Sequence, residues 1–300
     1  MKIVETKSLT KYYLNNSVKA LVNLNLEINE GEVFGYIGPN GAGKSTTIRL
    51  LLDLIRPTSG TGQIFGLDIN KKTVAIKKEI GYLPGEIYLP ENLTGQECIN
   101  YFKKFKKSID PKYLDKLIER FELTLDKKIN EYSKGNKQKL AIILAMMHKP
   151  RLLILDEPTS GLDPLNQQTF YDLILETKKW GTTTFLSTHI LNEAEKICDR
   201  VGILRSGKLI KVENIDSFRE KNIRELIIET TETIPLSLLQ QPNIKKIERT
   251  TSGYRLTTTG KNGAFLQSLS NHQIDDIKIA EPSLEDIFMH YYSKKDISND

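Results

Sequence analysis

The sequence predicts an α/β fold with a largely parallel core sheet, followed by a small α+β module. Two observations carry this prediction. Short apolar runs such as "EVFGYIG", "RLLILDEP" and "TTTFLSTH" alternate with helical patterns through the first two-thirds of the chain. Near Ile215 the composition then shifts to shorter strand and helix patterns. We therefore expect a first domain over residues 1–217 and a second over residues 218–300.

The first domain is expected to contain a strand–loop–helix unit and a helical subdomain. "EVFGYIG" is typical of a buried strand that enters a glycine-rich turn, and "STTIRLLLDLI" of the helix behind it. Within about residues 91–149, "ENLTGQECINYFKKF", "PKYLDKLIERFEL" and "KQKLAIILAMMHKP" place apolar residues near a 3.6-residue period, which predicts helices. "RVGILRSGKLI" predicts a closing hairpin that turns at Ser206 and Gly207.

The second domain is expected to be an α+β module of the split βαβ type. "ELIIETT" predicts a strand, and a short leucine-rich helix follows it. "IKKIERTTSGYRLTTT" predicts a hairpin that turns at Ser252 and Gly253. "GAFLQSLSN" and "SLEDIFMHYY" predict helices, with the strand "IDDIKIA" between them.

Composition limits the class of protein. Hydrophobic residues make up 39% of the chain and charged residues 27%, which is enough apolar material for a core. The net charge of +5 is compatible with phosphate ligands or with an anionic membrane surface, and it does not distinguish between the two. Cys98 and Cys198 form no disulfide framework, so a reducing cytosol is expected. No apolar run reaches membrane-spanning length, so any membrane role is expected to come through a partner.

"GPNGAGKST" matches the P-loop pattern, in which glycines let successive backbone N–H groups face phosphate oxygens at a helix start. Such a match occurs by chance in about one chain of this length in a hundred, so a ligand-free glycine turn is the weaker alternative. Lys44 supplies a point charge for the outer phosphates, and the Ser45 hydroxyl can bind Mg²⁺. The predicted nucleotide-binding loop consists of Gly38, Pro39, Asn40, Gly41, Ala42, Gly43, Lys44, Ser45 and Thr46.

Two further strands end in residues suited to phosphoryl transfer. Asp156 and Glu157 end the run "LLILDEP", and an acidic pair after a strand is often only a helix cap. With a P-loop upstream, we expect Asp156 to hold Mg²⁺ through water and Glu157 to polarise the attacking water. His189 ends "TTTFLSTH" and is expected to reach the γ-phosphate, although an isolated histidine is more often structural.

The order of the P-loop, "ILDEP", "SGLD" and "STH" resembles that of the ATP-binding-cassette (ABC) ATPases, which combine a RecA-like parallel core sheet with a helical subdomain. The resemblance places Asp163 among the nucleotide-binding residues. It also identifies "YSKGN" with the family signature, commonly LSGGQ, in which Ser133 and Gly135 are kept. In the family this motif completes the ATP site of the opposite subunit, which implies a second copy of this chain or a related one.

The chain departs from the family pattern at two positions. Lys134 replaces the first glycine of the signature, and Gly85 stands where the family has a glutamine that helps to bind Mg²⁺ and water. Glu86 or water could take the place of that glutamine. One branch of ABC exporters is similar in pairing "PG" with a "YSKGN"-like signature, so we interpret the two departures as a linked variant that still hydrolyses ATP.

An aromatic residue before the core strands binds adenine in the family, and "LTKYY" aligns best through Tyr13. Base–aromatic stacking of this kind is worth about 1–3 kcal/mol. Packing of Tyr12 and Tyr13 within a β-hairpin is an equally plausible interpretation.

The resemblance implies the ATPase subunit of an ABC exporter that uses ATP and Mg²⁺ and drives a separate transmembrane permease at the cytoplasmic face of the cell membrane. The tail "EPSLEDIFMHYY" resembles drug- and peptide-antibiotic-exporting members. The alternative is a soluble ABC ATPase acting on ribosomes or DNA. One P-loop and the lack of a heptad run argue against that alternative, and no nucleic-acid partner is expected.

Overall fold

The computed structural model describes residues 1–14, 17–106, 108–216, 223–260, 262–270 and 272–280. The predicted helix "SLEDIFMHYY" lies outside these residues. The chain divides into two units, Met1–Glu213 and Asn214–Asp300.

The first unit is built on a six-stranded core sheet in which the buried apolar runs lie side by side. The strands of the unit are β1 (Lys2–Tyr13), β2 (Val18–Leu24), β3 (Glu27–Asn29), β4 (Val33–Ile37), β5 (Ser59–Ile64), β6 (Leu67–Asp68), β7 (Ile80–Leu83), β8 (Leu152–Asp156), β9 (Thr183–Thr188), β10 (Arg200–Arg205) and β11 (Lys208–Asn214). The core sheet has the order β11-β10-β4-β9-β8-β7, and β10, β4, β9, β8 and β7 run parallel. The prediction of a largely parallel α/β sheet is confirmed.

Every residue of β4, β8 and β9 is buried. Burial on both faces explains why these strands lack polar alternation. In this parallel sheet β9 lies between β4 and β8, so the loops that follow the three strands leave the same edge. That edge carries the candidate site.

Helices cover the core sheet and form the predicted helical region. They are α1 (Lys44–Leu51), α2 (Thr73–Lys78), α3 (Gly95–Lys103), α4 (Pro111–Arg120), α5 (Lys134–Met146), α6 (Pro164–Lys179) and α7 (Leu191–Ile197). Thr94 and Glu97 form a reciprocal capping box at the start of α3, and Asp110 caps α4 just before Pro111. No described helix combines the length and apolar character that crossing a bilayer requires.

A second sheet of the first unit is antiparallel and was not predicted from the sequence. It has the order β2-β1-β5-β6, and β3 also pairs with β1. The alternation of apolar and polar residues in β1 is irregular, because register shifts interrupt its pairing and Ser8 adopts a positive φ of 47°. Such irregularities move side chains to the other face of a strand, so the alternation expected of a half-buried strand is broken.

The second unit contains an antiparallel four-stranded sheet. Its elements are β12 (Ile223–Glu229), α8 (Leu236–Leu239), β13 (Ile244–Thr250), β14 (Gly253–Thr259), α9 (Gly263–Ser268) and β15 (Asp276–Ala280). The order β13-β14-β12-β15 places β14 between β12 and β13, as the predicted split βαβ arrangement requires. The predicted turn at Ser252 and Gly253 is wrong by one residue. Thr250 pairs with Gly253, so the turn consists of Thr251 and Ser252.

Candidate functional site

The glycine-rich loop between β4 and α1 forms a backbone cradle. Gly43 is the N-cap of α1 and has a φ of 111°, a conformation that side chains disfavour. A Cβ at this position would also lie 2.5 Å from the Ala20 carbonyl oxygen. Glycine is therefore required here, and the first N–H groups of α1 lie at the loop with the positive end of the helix.

Lys44 reaches back over this loop although it is only 5% exposed. Its Nζ donates to the carbonyl oxygens of Gly38, at 2.7 Å, and Pro39, at 3.2 Å. Burial lowers the pKa of Lys44, while the carboxylates of Glu157 and Asp156 oppose that shift. The ammonium thus lies within the loop and close to both acidic residues.

Asp156 ends β8 as a buried carboxylate. It is 6% exposed, and the Ser187 hydroxyl of neighbouring β9 donates to its Oδ1. A Cβ at Gly85 would lie 3.3 Å from Asp156 Oδ2, so glycine leaves the second oxygen uncrowded. Glu86, the next residue, is exposed, and its Oε2 accepts a hydrogen bond from Tyr88 at 3.0 Å.

Glu157 lies between two groups that can carry positive charge. Its Oε1 is 3.9 Å from Lys44 Nζ and 3.2 Å from His189 Nδ1. Glu157 adopts a left-handed backbone with a φ of 49°, which costs about 1 kcal/mol or more for a residue other than glycine. This conformation turns the chain immediately after β8, where Glu157 N also donates to the Ser187 carbonyl at 3.0 Å.

The signature stretch begins helix α5. Ser133 is its N-cap, and the hydroxyl accepts from the Asn136 N–H at 3.2 Å. The aliphatic carbons of Lys134 would lie 3.2 Å from a Cβ on Gly161, so the Lys134 stem packs on that glycine. Ser133 and Lys134 are exposed, whereas the later part of α5 is buried. The helix start therefore faces solvent in the single chain.

The remaining predicted residues lie on separate elements. Asp163 is exposed and caps α6, and the backbone N–H of Asn166 lowers the pKa of its carboxyl. Tyr13 pairs with Val18 in the β1–β2 hairpin, with Lys11 Nζ 5.1 Å from its ring centre. The hairpin placement agrees with the structural interpretation of the two tyrosines and leaves an adenine contact as a prediction.

Sequence reasoning missed three groups beside these residues. Ser187 lies in the quoted "STH" and its position two residues before His189 was the available signal. Gln138 is buried, and its Nε2 donates to the Pro158 carbonyl at 2.6 Å, which ties α5 to the segment after Glu157. Glu193, on α7, is buried without any signal in the local pattern.

Comparison with known proteins identifies both units. The "ABC transporter" family model matches residues 21–160. A second model, "ATP-binding protein DrrA1-3-like, C-terminal domain", matches residues 215–292.

Similar proteins match along nearly the whole chain. The bacitracin transport ATP-binding protein BcrA of Bacillus licheniformis is 35% identical over 296 residues, covering 96% of each chain. The uncharacterized ABC transporter ATP-binding protein YhcH of Bacillus subtilis is 33% identical over 298 residues, covering 96% of this chain and 95% of its own.

Solved structures extend the comparison to the fold of the first unit. An ATP-binding subunit of an ABC transporter superposes with a TM-score of 0.67 at 33% identity, covering 73% of this chain and 92% of that one. The ATP-binding cassette MJ0796, in a dimeric post-hydrolysis state with ADP and Pi, gives 0.64 at 27% identity, covering 71% and 98%. The chain belongs to the ABC transporter ATP-binding proteins, and it is an ATPase subunit of such a transporter.

Proposed function

We propose that this chain is the ATP-hydrolysing subunit of an exporter, in which two copies enclose two ATP molecules and drive a separate permease. The observation that carries the proposal is the position of Glu157, between Lys44 and His189 at the edge where β8 and β9 end. Phosphoryl transfer depends mainly on positioning and on charge stabilisation, and this arrangement supplies both.

The glycine-rich loop is proposed to bind the phosphates of ATP through its backbone N–H groups. Lys44 already donates to two carbonyl oxygens inside the loop, and phosphate oxygens would replace them as acceptors. The Ser45 hydroxyl and the Asp156 carboxylate are oxygen donors that fit Mg²⁺, which keeps several waters and binds few protein ligands. When bound, Mg²⁺ would offset the negative charge of the phosphates.

Glu157 is proposed as the general base. Its carboxylate would take a proton from water as the water oxygen bonds to the γ-phosphorus. The bond from that phosphorus to the bridging oxygen then breaks, leaving ADP and inorganic phosphate. His189 is 48% exposed and adjoins Glu157, so its ring can turn toward the γ-phosphate and orient the transferred group.

The exposed start of α5 is proposed to complete the site of the other copy. Ser133 and Gly135 offer a hydroxyl and backbone N–H groups at a helix N-terminus, which favours an anion. Asp163 caps the neighbouring exposed helix start, and Leu165 beside it is a large exposed apolar residue. We place all four at the seam between the two copies, and Tyr13 against adenine.

The permease is proposed to dock in a groove of about 420 Å³ between the core and the helical region. Its lining is mainly apolar and includes Leu54, Tyr88 and Phe102, with Tyr88 85% exposed. Lys77 and Lys106 also line it and would favour an acidic side chain on the docking segment. Because Tyr88 bonds to Glu86, next to Gly85, docking here can influence the surroundings of Asp156.

Export and cytoplasmic location are proposed from the relatives. A bacitracin transport ATP-binding protein matches 96% of this chain, so a bacitracin-like cargo is favoured. The ATPase would lie at the cytoplasmic face of the cell membrane through its permease. We propose that the second unit braces the dimer, since its described core has apolar packing and no nucleotide loop.

Size-exclusion chromatography with light scattering tests this function. The Glu157→Gln variant should bind ATP with magnesium but hydrolyse it slowly, so it should dimerise with ATP and stay monomeric with ADP. Ser133→Arg in the same background should bind ATP without dimerising. A monomer under every nucleotide condition, or ATP-dependent dimers that survive Ser133→Arg, would contradict the proposed seam. Co-expression with the proposed permease should yield a detergent-stable complex that Leu54→Asp weakens.

A further inference from the structure

Glu193 is a carboxyl group that the proposed hydrolysis does not use. It lies on α7, four residues after His189 in the chain, and is 1% exposed. Neither of its carboxyl oxygens forms a hydrogen bond with a described residue. An ionised carboxylate without partners is costly to bury, so such a group is expected to be neutral or to have a function.

The surroundings of Glu193 contain parts of the site. Burial is the largest influence and raises its pKa, and the charge of Glu157 adds to that shift. The hydroxyls of Thr188 and Thr159 and the ring of His189 act in the opposite direction. Both hydroxyls are thus close enough to interact with the carboxyl group, although they do not satisfy hydrogen-bond geometry with it.

Two more ionisable groups face Glu193 from other elements. The charge of Glu193 raises the pKa of Tyr171, on α6, and of Cys198, just after α7, in addition to the larger effect of burial on each. Neither group is cationic. Among these neighbours of Glu193, only His189 can carry a positive charge, so little opposes the preference for the neutral acid.

The position of Glu193 joins two loops of the site. Thr159 belongs to the loop that follows Glu157, and Thr188 ends β9 immediately before His189. Asp156 and Ser187 are register partners in neighbouring parallel strands, so the two loops leave the sheet side by side. Glu193 lies close to both loops, near the Thr159 and Thr188 hydroxyls.

We propose that Glu193, as a neutral carboxylic acid, is a positioning residue that bridges the Thr159 and Thr188 hydroxyls and so fixes Glu157 against His189. The inference rests on the proposed function because it concerns the same hydrolysis. It assigns no contact with ATP to Glu193.

The chemistry of a carboxylic acid suits this bridge. Thr188 Oγ1 already accepts from the Ile190 N–H at 3.0 Å, so its hydrogen remains available for the carbonyl oxygen of Glu193. The acid O–H of Glu193 can then donate to Thr159. An ionised Glu193 would lack that donor and would place a second negative charge near Glu157. A small shift of either loop completes both bonds, which is how the loops would be locked in register.

The test is a pH profile of kcat and KM for ATP with the full chain. Glu193→Gln mimics the neutral acid, so at pH 7 we expect kcat within about twofold of the wild type, at the scale of a modest hydrogen-bond change. The decline of kcat at alkaline pH should be weaker in this variant. Glu193→Ala should lower kcat about tenfold with KM unchanged, the size expected for one lost hydrogen bond.

Glu195→Gln is the matched control, the same chemical change on the same helix at a half-buried residue. It should leave both the profile and kcat as in the wild type. The inference is overturned if Glu193→Gln loses as much kcat as Glu193→Ala, or if its pH profile superposes on that of the wild type. If Glu193→Ala does not fold, the comparison of Glu193→Gln with the wild type decides. An inactive wild type would instead reject the proposed function, on which the inference rests.

Discussion

The two units of this chain differ in how they bury ionisable side chains. In the first unit, Lys44, Asp156 and Glu193 are buried at one edge of the core sheet, and Glu32 is buried in an ion pair with Arg200. In the described part of the second unit, the buried polar side chains are uncharged; they are Thr230, Thr258 and Asn262. Burying an ionisable group is costly, whether as an unpaired charge or as a neutral group without hydrogen bonds. The comparison shows that this cost is concentrated where phosphoryl transfer is proposed.

The second unit places its ion pairs at the surface instead. Lys278 lies 2.8 Å from Glu229, and Lys246 lies 2.6 Å from Glu248. Exposed pairs of this kind contribute little to stability. Stability of the second unit must come mainly from its apolar cluster, which includes Leu226, Tyr254 and Phe265.

The largest expected effect comes from removing the proposed base. Glu157→Gln should lower kcat for ATP hydrolysis by about 100- to 10,000-fold, the usual contribution of general acid–base catalysis. ATP affinity should be retained because the amide has nearly the same size. Phosphate release measures the rate, and equilibrium dialysis measures the affinity.

The matched control for this change is Glu232→Gln in the second unit, where the carboxylate pairs with His272 at the surface. It should leave kcat unchanged. Comparable losses in the two variants would contradict the assignment of catalysis to the first unit alone.

Truncating one buried aromatic side chain in each unit should show whether the two units unfold independently. Phe185 and Phe265 are almost fully buried, one in each unit. Either change to alanine should cost about 3–5 kcal/mol of unfolding free energy through lost burial and a cavity. Phe185→Ala should also impair ATP binding, because β9 carries the site at its end. Phe265→Ala should leave ATP binding by the first unit intact.

Urea denaturation followed by tryptophan fluorescence reports on the first unit, because Trp180 is the only tryptophan of the chain. Circular dichroism reports on both units. If Phe265→Ala shifted the fluorescence transition as far as Phe185→Ala does, the two units would share one cooperative core.

Acid should destabilise the first unit through His148. Burial, helped by the nearby charge of Lys106, lowers the pKa of His148 to about 4 from its usual 6.5. Below pH 6.5, His148 binds a proton in the unfolded chain but stays neutral in the folded chain. The unfolding free energy therefore falls as the pH drops toward 4. The loss should be about 2–3 kcal/mol.

Denaturation of the wild type and of His148→Gln at pH 7 and pH 5 measures this effect. The variant should show a smaller difference between the two pH values, because glutamine does not titrate. An equal difference would assign the acid sensitivity to other groups.

The smallest expected effect concerns a helix start. Thr94→Ala removes the capping box of α3 and should cost about 1 kcal/mol. Thr94→Ser keeps the hydroxyl and should cost less. In the second unit, Asn262 is the N-cap of α9 and forms no side-chain capping bond, so the two units differ here as well. Equal melting temperatures for Thr94→Ala and the wild type would show that the cap contributes nothing.

Motifs with fixed spacing were predictable because their chemistry is local. The P-loop needs glycines, a lysine and a hydroxyl within nine residues, and the structure places them at the end of β4 as expected. The split βαβ order of the second unit also followed from the pattern of short elements. The antiparallel sheet built on β1 was missed because its alternation is interrupted at Ser8.

The sequence alone determined which residue types could perform phosphoryl transfer and which buried strands present them, since apolar runs and glycine loops act over a few residues. Only the tertiary structure decided that Glu157 lies between Lys44 and His189. It also decided that Gly85 leaves room beside Asp156 and that Glu193 is buried. Those facts depend on contacts between residues far apart in the chain. Packing of neighbouring parallel strands creates them, and no local pattern records it.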